Sequence, residues 1–168
     1  MTTFAPVQEQ AAEAAVELLP ICIEMRGAGL PSVFILEALF RSSEYEAIGF
    51  LFQMWHKAKE PKERDEIIAD IQQILDDVTM TGIIERPAVS REGVRALIKD
   101  LRAFKDALRE LVDRQGGISW LAKETGIPQP SLSRLFNAGS KPHRATLLKI
   151  REALGDEGTN LISPWLDR

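Results

Sequence analysis

The chain has 168 residues, 45% hydrophobic and 27% charged, the balance of a soluble globular protein of one ordinary domain or two small ones, which excludes disordered, collagen-like and disulfide-scaffold classes. Its longest uncharged stretch, 27–36, runs ten residues, half of what a transmembrane helix needs, and the N-terminus lacks a signal peptide's basic flank and apolar core, so the chain reads as cytoplasmic with no membrane partner. The net charge of −4 is unevenly divided: residues 1–89 carry 7 basic and 15 acidic side chains (−8), residues 90–154 carry 13 and 7 (+6), and residues 155–168 carry 1 and 3 (−2), so that a basic module next to an acidic one hints at a polyanionic partner.

Apolar residues recur at helical spacing nearly throughout, and no run of alternating β-branched residues stands out, so the expected class is all-α. Ala11, Ala14, Ala15, Leu18 and Leu19 form one stripe that Pro20 is expected to break or kink. Gly27, Gly29 and Pro31 mark a turn before a short apolar helix over 33–40. Ser43 and Glu46 have the spacing of a capping box, which would start the next helix, running to about Lys57. Pro61 suits a first helical position, and Ile67, Ile68, Ile71, Ile74, Leu75 and Val78 follow a three-four spacing behind it. Residues 79–89, with Gly82 and Pro87, read as a linker.

From residue 90 to 114, Val94, Leu97, Leu101, Phe104, Leu108 and Leu111 alternate steps of three and four, predicting one long helix ended by Gly116 and Gly117. The expected division is an acidic helical domain over 1–89 for dimerisation or partner binding, a basic domain over 90–155, and a tail over 156–168. The apolar supply of the first part, with Phe34, Leu39, Phe40, Phe50, Phe52, Met54 and Trp55 within 22 positions, exceeds what a small helical domain buries alone and predicts a homodimer.

The segment 118–137, Ile-Ser-Trp-Leu-Ala-Lys-Glu-Thr-Gly-Ile-Pro-Gln-Pro-Ser-Leu-Ser-Arg-Leu-Phe-Asn, spells helix, tight turn, helix. Ile118, Leu121, Ala122 and Thr125 share one face; Ala122 is small enough for a close helix crossing, and Gly126 supplies the backbone freedom of the turn. Pro128 and Pro130 are tolerable only in a first turn, which fixes the start of the second helix, with Leu132 and Leu135 inward. Pro142 begins a further helix carrying Leu147, Leu148, Ile150 and Leu154, closed by Gly155.

The run Ala122, Gly126, Ile127, Leu132 and Leu135, followed by Asn137-Ala-Gly139 and Thr146-Leu-Leu-Lys-Ile150, resembles the helix-turn-helix domains of the λ repressor and Cro, or XRE, type over residues 101–155. The wording Ala122-Lys-Glu-Thr-Gly-Ile127 is also similar to the antitoxin branch of that family. Ile118 and Pro130 depart from the family's usual polar residues. The resemblance implies that the second helix enters the major groove of double-stranded DNA, making Gln129, Ser133 and Arg134 the base readers, since an amide pairs with adenine and a guanidinium with guanine. It further implies phosphate contacts from Lys123, Ser131, Asn137, Ser140, Lys141 and Arg144; for Ser131 and Ser133, capping or plain exposure is an equal alternative. The implied function is a sequence-specific transcriptional regulator, a dimeric repressor; the alternative is an antitoxin-like protein whose N-terminal domain binds a protein partner while the helix-turn-helix autoregulates. The single Cys22 and the distant His56 and His143 offer no metal cluster, and no nucleophile with its base is apparent. The expectation is therefore a non-enzymatic protein with no catalytic or metal residues and no cofactor.

Overall fold

The computed structural model describes residues 5–79 and 91–166, and every regular element among them is helical: α1 (Ala5–Gly27), α2 (Ser32–Ser42), α3 (Glu46–Lys57), α4 (Pro61–Thr79), α5 (Arg91–Gln115), α6 (Gly117–Thr125), α7 (Gln129–Asn137) and α8 (Arg144–Leu166). The chain forms two compact units, Met1–Leu75 and Asp76–Arg168. The expected linker lies, but for Thr79, outside the described residues, as do the side chains of Ala11, Ala14, Val94 and Leu97.

In the first unit α1, α2 and α3 pack on one another. Leu18, Ile21 and Met25 of α1, Phe34, Ile35 and Ala38 of α2, and Ile48, Phe52 and Trp55 of α3 enclose a core that Ile67, Ile68, Ile71 and Leu75 of α4 complete. Pro20 does not end α1, which continues to Gly27. The ring removes the hydrogen bond to the Val16 carbonyl, and because Val16 and Pro20 are both exposed, water can replace it. The α1 terminus is a Schellman turn: Gly29 sits at φ +88°, with Leu30 N–H donating to the Met25 carbonyl at 3.1 Å and Gly29 N–H to that of Arg26 at 3.0 Å.

The capping-box expectation is corrected. Ser43 closes α2, its Oγ donating to the Phe40 carbonyl at 2.8 Å, and α3 begins after Tyr45 with no side-chain cap. A hydroxyl next to unsatisfied carbonyls donates to them; only a residue with extended backbone ahead of a helix can receive its first N–H groups, and Ser43 has helical backbone angles. A polar knot joins α1, α3 and α4. The Glu24 carboxylate accepts from His56 Nδ1 at 2.7 Å and Arg64 Nη2 at 3.0 Å, while the Arg64 guanidinium lies 4.4 Å over the Trp55 ring.

The second unit is built on α5. Leu101, Phe104, Leu108 and Val112 run down its inner face, packed with Leu121 and Ala122 of α6, Ile127 of the turn, Leu132 and Phe136 of α7, and Leu147 and Ile150 of α8. Burial of side chains of this size contributes about 1.5–3 kcal/mol each. Residues 156–166, expected as tail, are helical. Gly155 holds φ +65°, ψ −139° and breaks α8 there, so the glycine does close a helix, and another follows directly. That second half brings Ile162 and Trp165 into the core, the Trp165 ring stacking on Phe104 at 4.6 Å between centroids. Trp120 and Leu166 pack half-buried against the same cluster.

Candidate nucleic-acid interface

The turn between α6 and α7 is fixed by three local devices. Gly126 caps α6 in the left-handed region at φ +69°, its N–H donating to the Ala122 carbonyl at 2.9 Å; a side chain there would be strained. The Thr125 hydroxyl donates to the Leu121 carbonyl at 2.6 Å and accepts from Ile127 N–H at 3.2 Å, pinning Ile127 as it enters the core. Pro128 then caps α7, with Pro130 in its first turn, where neither ring costs a helical hydrogen bond.

Leu132 and Phe136 anchor the inner face of α7, with Leu135 half-buried beside them. Phe136, four positions after Leu132, is an inward residue beyond the two expected from the spacing. The outer face follows from that anchoring. Gln129, Ser133 and Asn137 recur every fourth residue and so line one side of the helix, with Gln129 and Asn137 exposed and Ser133 half-buried. Arg134 is exposed on the adjoining flank, and Lys123 is exposed on α6.

Beyond α7, Ser140 and Lys141 are exposed in the loop leading to α8. Arg144 is exposed at the start of α8, its Nη1 donating to the Leu166 carbonyl at 2.9 Å. Ser131 is placed differently from the other candidates: its Oγ is enclosed and makes no hydrogen bond, so it reaches a phosphate only if the side chain turns outward.

Charge across this region is one-sided. From residue 125 to 151 there is no acidic side chain, while Arg134, Lys141, Arg144, Lys149 and Arg151 are basic. The side chains of α7, the following loop and the start of α8 thus carry only positive formal charge of their own, the electrostatic footprint of a polyanion site, while the fold brings an acidic group, Asp77, to 3.4 Å from His143 Nδ1 at its edge. Summing charge over residues 90–154 diluted this signal with the carboxylates of α5.

Sequence reasoning also missed Lys105. It lies on α5 between Phe104 and Leu108 and is 6% exposed, with Nζ donating to the carbonyls of Ala138 at 2.6 Å and Ser140 at 2.7 Å. Burial holds this ammonium below the ordinary lysine range. The available signal was a lysine four residues after Leu101 and three before Leu108, inside an apolar stripe. Cys22, by contrast, is half-buried against the first core, and burial pushes its thiol up, away from reactivity.

Residues 108–157 match the helix-turn-helix family of the XRE, λ repressor-like type, a family of DNA-binding transcription regulators. No curated protein and no solved structure matches the chain.

Proposed function

We propose that the protein is a sequence-specific regulator of transcription that binds an operator as a homodimer and represses by occupying it. The observation that carries the reading is the acid-free segment 125–151, which contains α7 with Gln129, Arg134 and Asn137 exposed on it. A helix of this kind enters the major groove with its N-terminal residues toward base edges. Gln129, Ser133 and Arg134 then read bases, and Lys123, Asn137, Ser140, Lys141 and Arg144 hold phosphates, with Ser131 joining them after a rotamer change.

Dimerisation is supported by the first unit. Val16, Leu19 and Ile23 of α1, Val33, Leu36 and Phe40 of α2, and Phe50 and Met54 of α3 are all exposed. The first two sets have i, i+3, i+7 spacing, the seam of a paired helix. Each such side chain leaves on the order of 100 Å² in water, so the eight leave about 800 Å², which is what one partner contributes to a standard interface. A second copy is the occupant we assign, since a single helix-turn-helix makes few phosphate contacts and two copies read half-sites about 34 Å apart. Light scattering at micromolar concentration is expected to give twice the chain mass, and Phe40→Ser to shift it to the monomer. A monomeric wild type would leave the antitoxin-like alternative, with a protein partner on these stripes.

The DNA reading is tested by selecting duplexes from a random pool, then titrating salt with the selected and a random duplex. Arg134→Ala is expected to lower the ratio of selected to random affinity by about tenfold, the loss of one base contact. Lys141→Ala and Arg144→Ala are expected to weaken both duplexes alike and reduce the slope of log affinity on log salt by about one each. An unchanged ratio for Arg134→Ala would remove α7 from the role of reader.

A further inference from the structure

We propose that Lys105 is a positioning residue for DNA binding: through its ammonium, α5 sets the geometry of the loop at residues 138–141 that faces the phosphate backbone. The proposal rests on the DNA reading above and extends it to a side chain that does not itself touch DNA.

An apolar residue at this position would continue the α5 stripe of Leu101, Phe104 and Leu108, and burying an ammonium costs several kcal/mol unless its hydrogen bonds are met. Here two of its three donors go to carbonyls of one short loop, Ala138 at 2.6 Å and Ser140 at 2.7 Å, the first of them at the C-terminal cap of α7, where the helix dipole favours a cation.

The consequence for the loop is geometric. In a trans peptide the carbonyl and the following N–H point in opposite directions, and the described backbone has no cis bond. Drawing the carbonyls of Ala138 and Ser140 onto Lys105 therefore turns the amide hydrogens of Gly139 and Lys141 away from it. A Cβ built on Gly139 would meet nothing within 4 Å, and Gly139, Ser140 and Lys141 are all exposed, so the loop is open to close approach. One ammonium thus fixes which side of the loop presents donors, just past the end of α7.

The test is a double-mutant cycle on the full chain, with a random duplex as the probe, because phosphate contacts carry no sequence information. Lys141→Ala is expected to weaken binding about tenfold, the loss of one charge-assisted contact. Lys105→Met is expected to weaken it by a similar factor and to lower the salt slope by about one, while Lys99→Met, an exposed cation of the same helix, leaves the slope unchanged and Lys105→Arg restores binding. The decisive term is the coupling: in the Lys105→Met background, Lys141→Ala should add less than half of its cost in the wild type. If Lys105→Met does not fold, Lys105→Gln, which keeps one donor, takes its place. Additive effects would mean that Lys105 only stabilises the fold and would overturn the proposal. A wild type that binds duplex but ignores Lys141→Ala overturns the role of the loop and leaves the DNA reading standing; a wild type that binds no duplex overturns both.

Discussion

The two units are made of the same kind of helix and differ in what they leave in water. The first, with six basic and twelve acidic side chains in residues 1–75, buries Phe34, Phe52 and Trp55 yet leaves Phe40 68% and Phe50 66% exposed. In the second, among the described residues, Ile98 alone is a large apolar side chain in the exposed class, and the surface of α7 with its neighbouring loop is wholly basic or neutral. An apolar surface is buried by another apolar surface and a basic one by an anion. On the proposed function, association belongs to the first unit and DNA to the second.

The largest expected effect comes from separating them. A fragment of residues 76–168 is expected to keep its helical circular dichroism and melt cooperatively, because the second core draws its described members from residues 101–165 and the buried Thr146 hydroxyl keeps its Asp76 acceptor, but to bind a selected duplex at least tenfold more weakly than the whole chain if the first unit supplies the pairing. A fragment that is unfolded, or that binds as tightly as the whole chain, breaks the comparison.

Next in size are core truncations confined to one unit. Phe52→Ala, at a fully buried position, should destabilise by about 3–5 kcal/mol, and Leu132→Ala by about 2–5 kcal/mol. Hydrogen exchange should show each loss confined to the unit that carries the substitution. Protection lost equally across both units would mean that they fold as one.

A smaller effect is expected at Gly158. A Cβ built there falls 2.5 Å from the Leu154 Cβ and 3.3 Å from the Arg151 carbonyl, across the break at Gly155. Gly158→Ala should cost about 1–3 kcal/mol through overpacking, read as a lowered midpoint in urea, and adding Leu154→Ala, which keeps the Cβ that clashes, should not recover it.

The smallest effect is a pH dependence of the first unit. The His56 hydrogen bond, followed by the nearby charges of His56 and Arg64, holds the Glu24 carboxyl below its ordinary value. A depressed carboxyl contributes stability that is fully present above its unfolded pKa and is lost as pH falls through the lower folded value. Thermal melts should therefore show the wild type losing more stability than Glu24→Gln on acidification below the ordinary carboxylate range, with the two curves parallel near neutrality. Parallel curves throughout would show the knot to be screened by solvent.

Much of this was legible along the chain, for reasons particular to the residues. Helix α5 was readable because its inner face repeats every three or four positions, and the turn after α6 because Gly126 and the prolines at 128 and 130 permit few backbones. Elimination places Gln129, Ser131, Ser133 and Arg134 outside once Leu132 is inside, which holds for Gln129 and Arg134 and fails for Ser131, whose hydroxyl is enclosed. Ser43 misled because a capping box and a C-terminal serine look alike in sequence; the backbone angle decides between them. Pro20 does not break α1, because the Val16 carbonyl that loses its partner lies at an exposed stretch where water can replace the bond.

The sequence by itself determined the all-helical class, the helix, turn and helix around Gly126, and the division of charge between the two halves, since each follows from spacing or composition within a few turns of chain. The tertiary structure alone decided that Phe52 lies inside while Phe50 lies outside, that Trp165 stacks on Phe104, and that Lys105 holds the loop after α7. The physical reason is range. Each of these depends on which distant surface covers a side chain, and Lys105 meets carbonyls 33 and 35 residues away, an encounter that no local pattern encodes and only the packed core brings about.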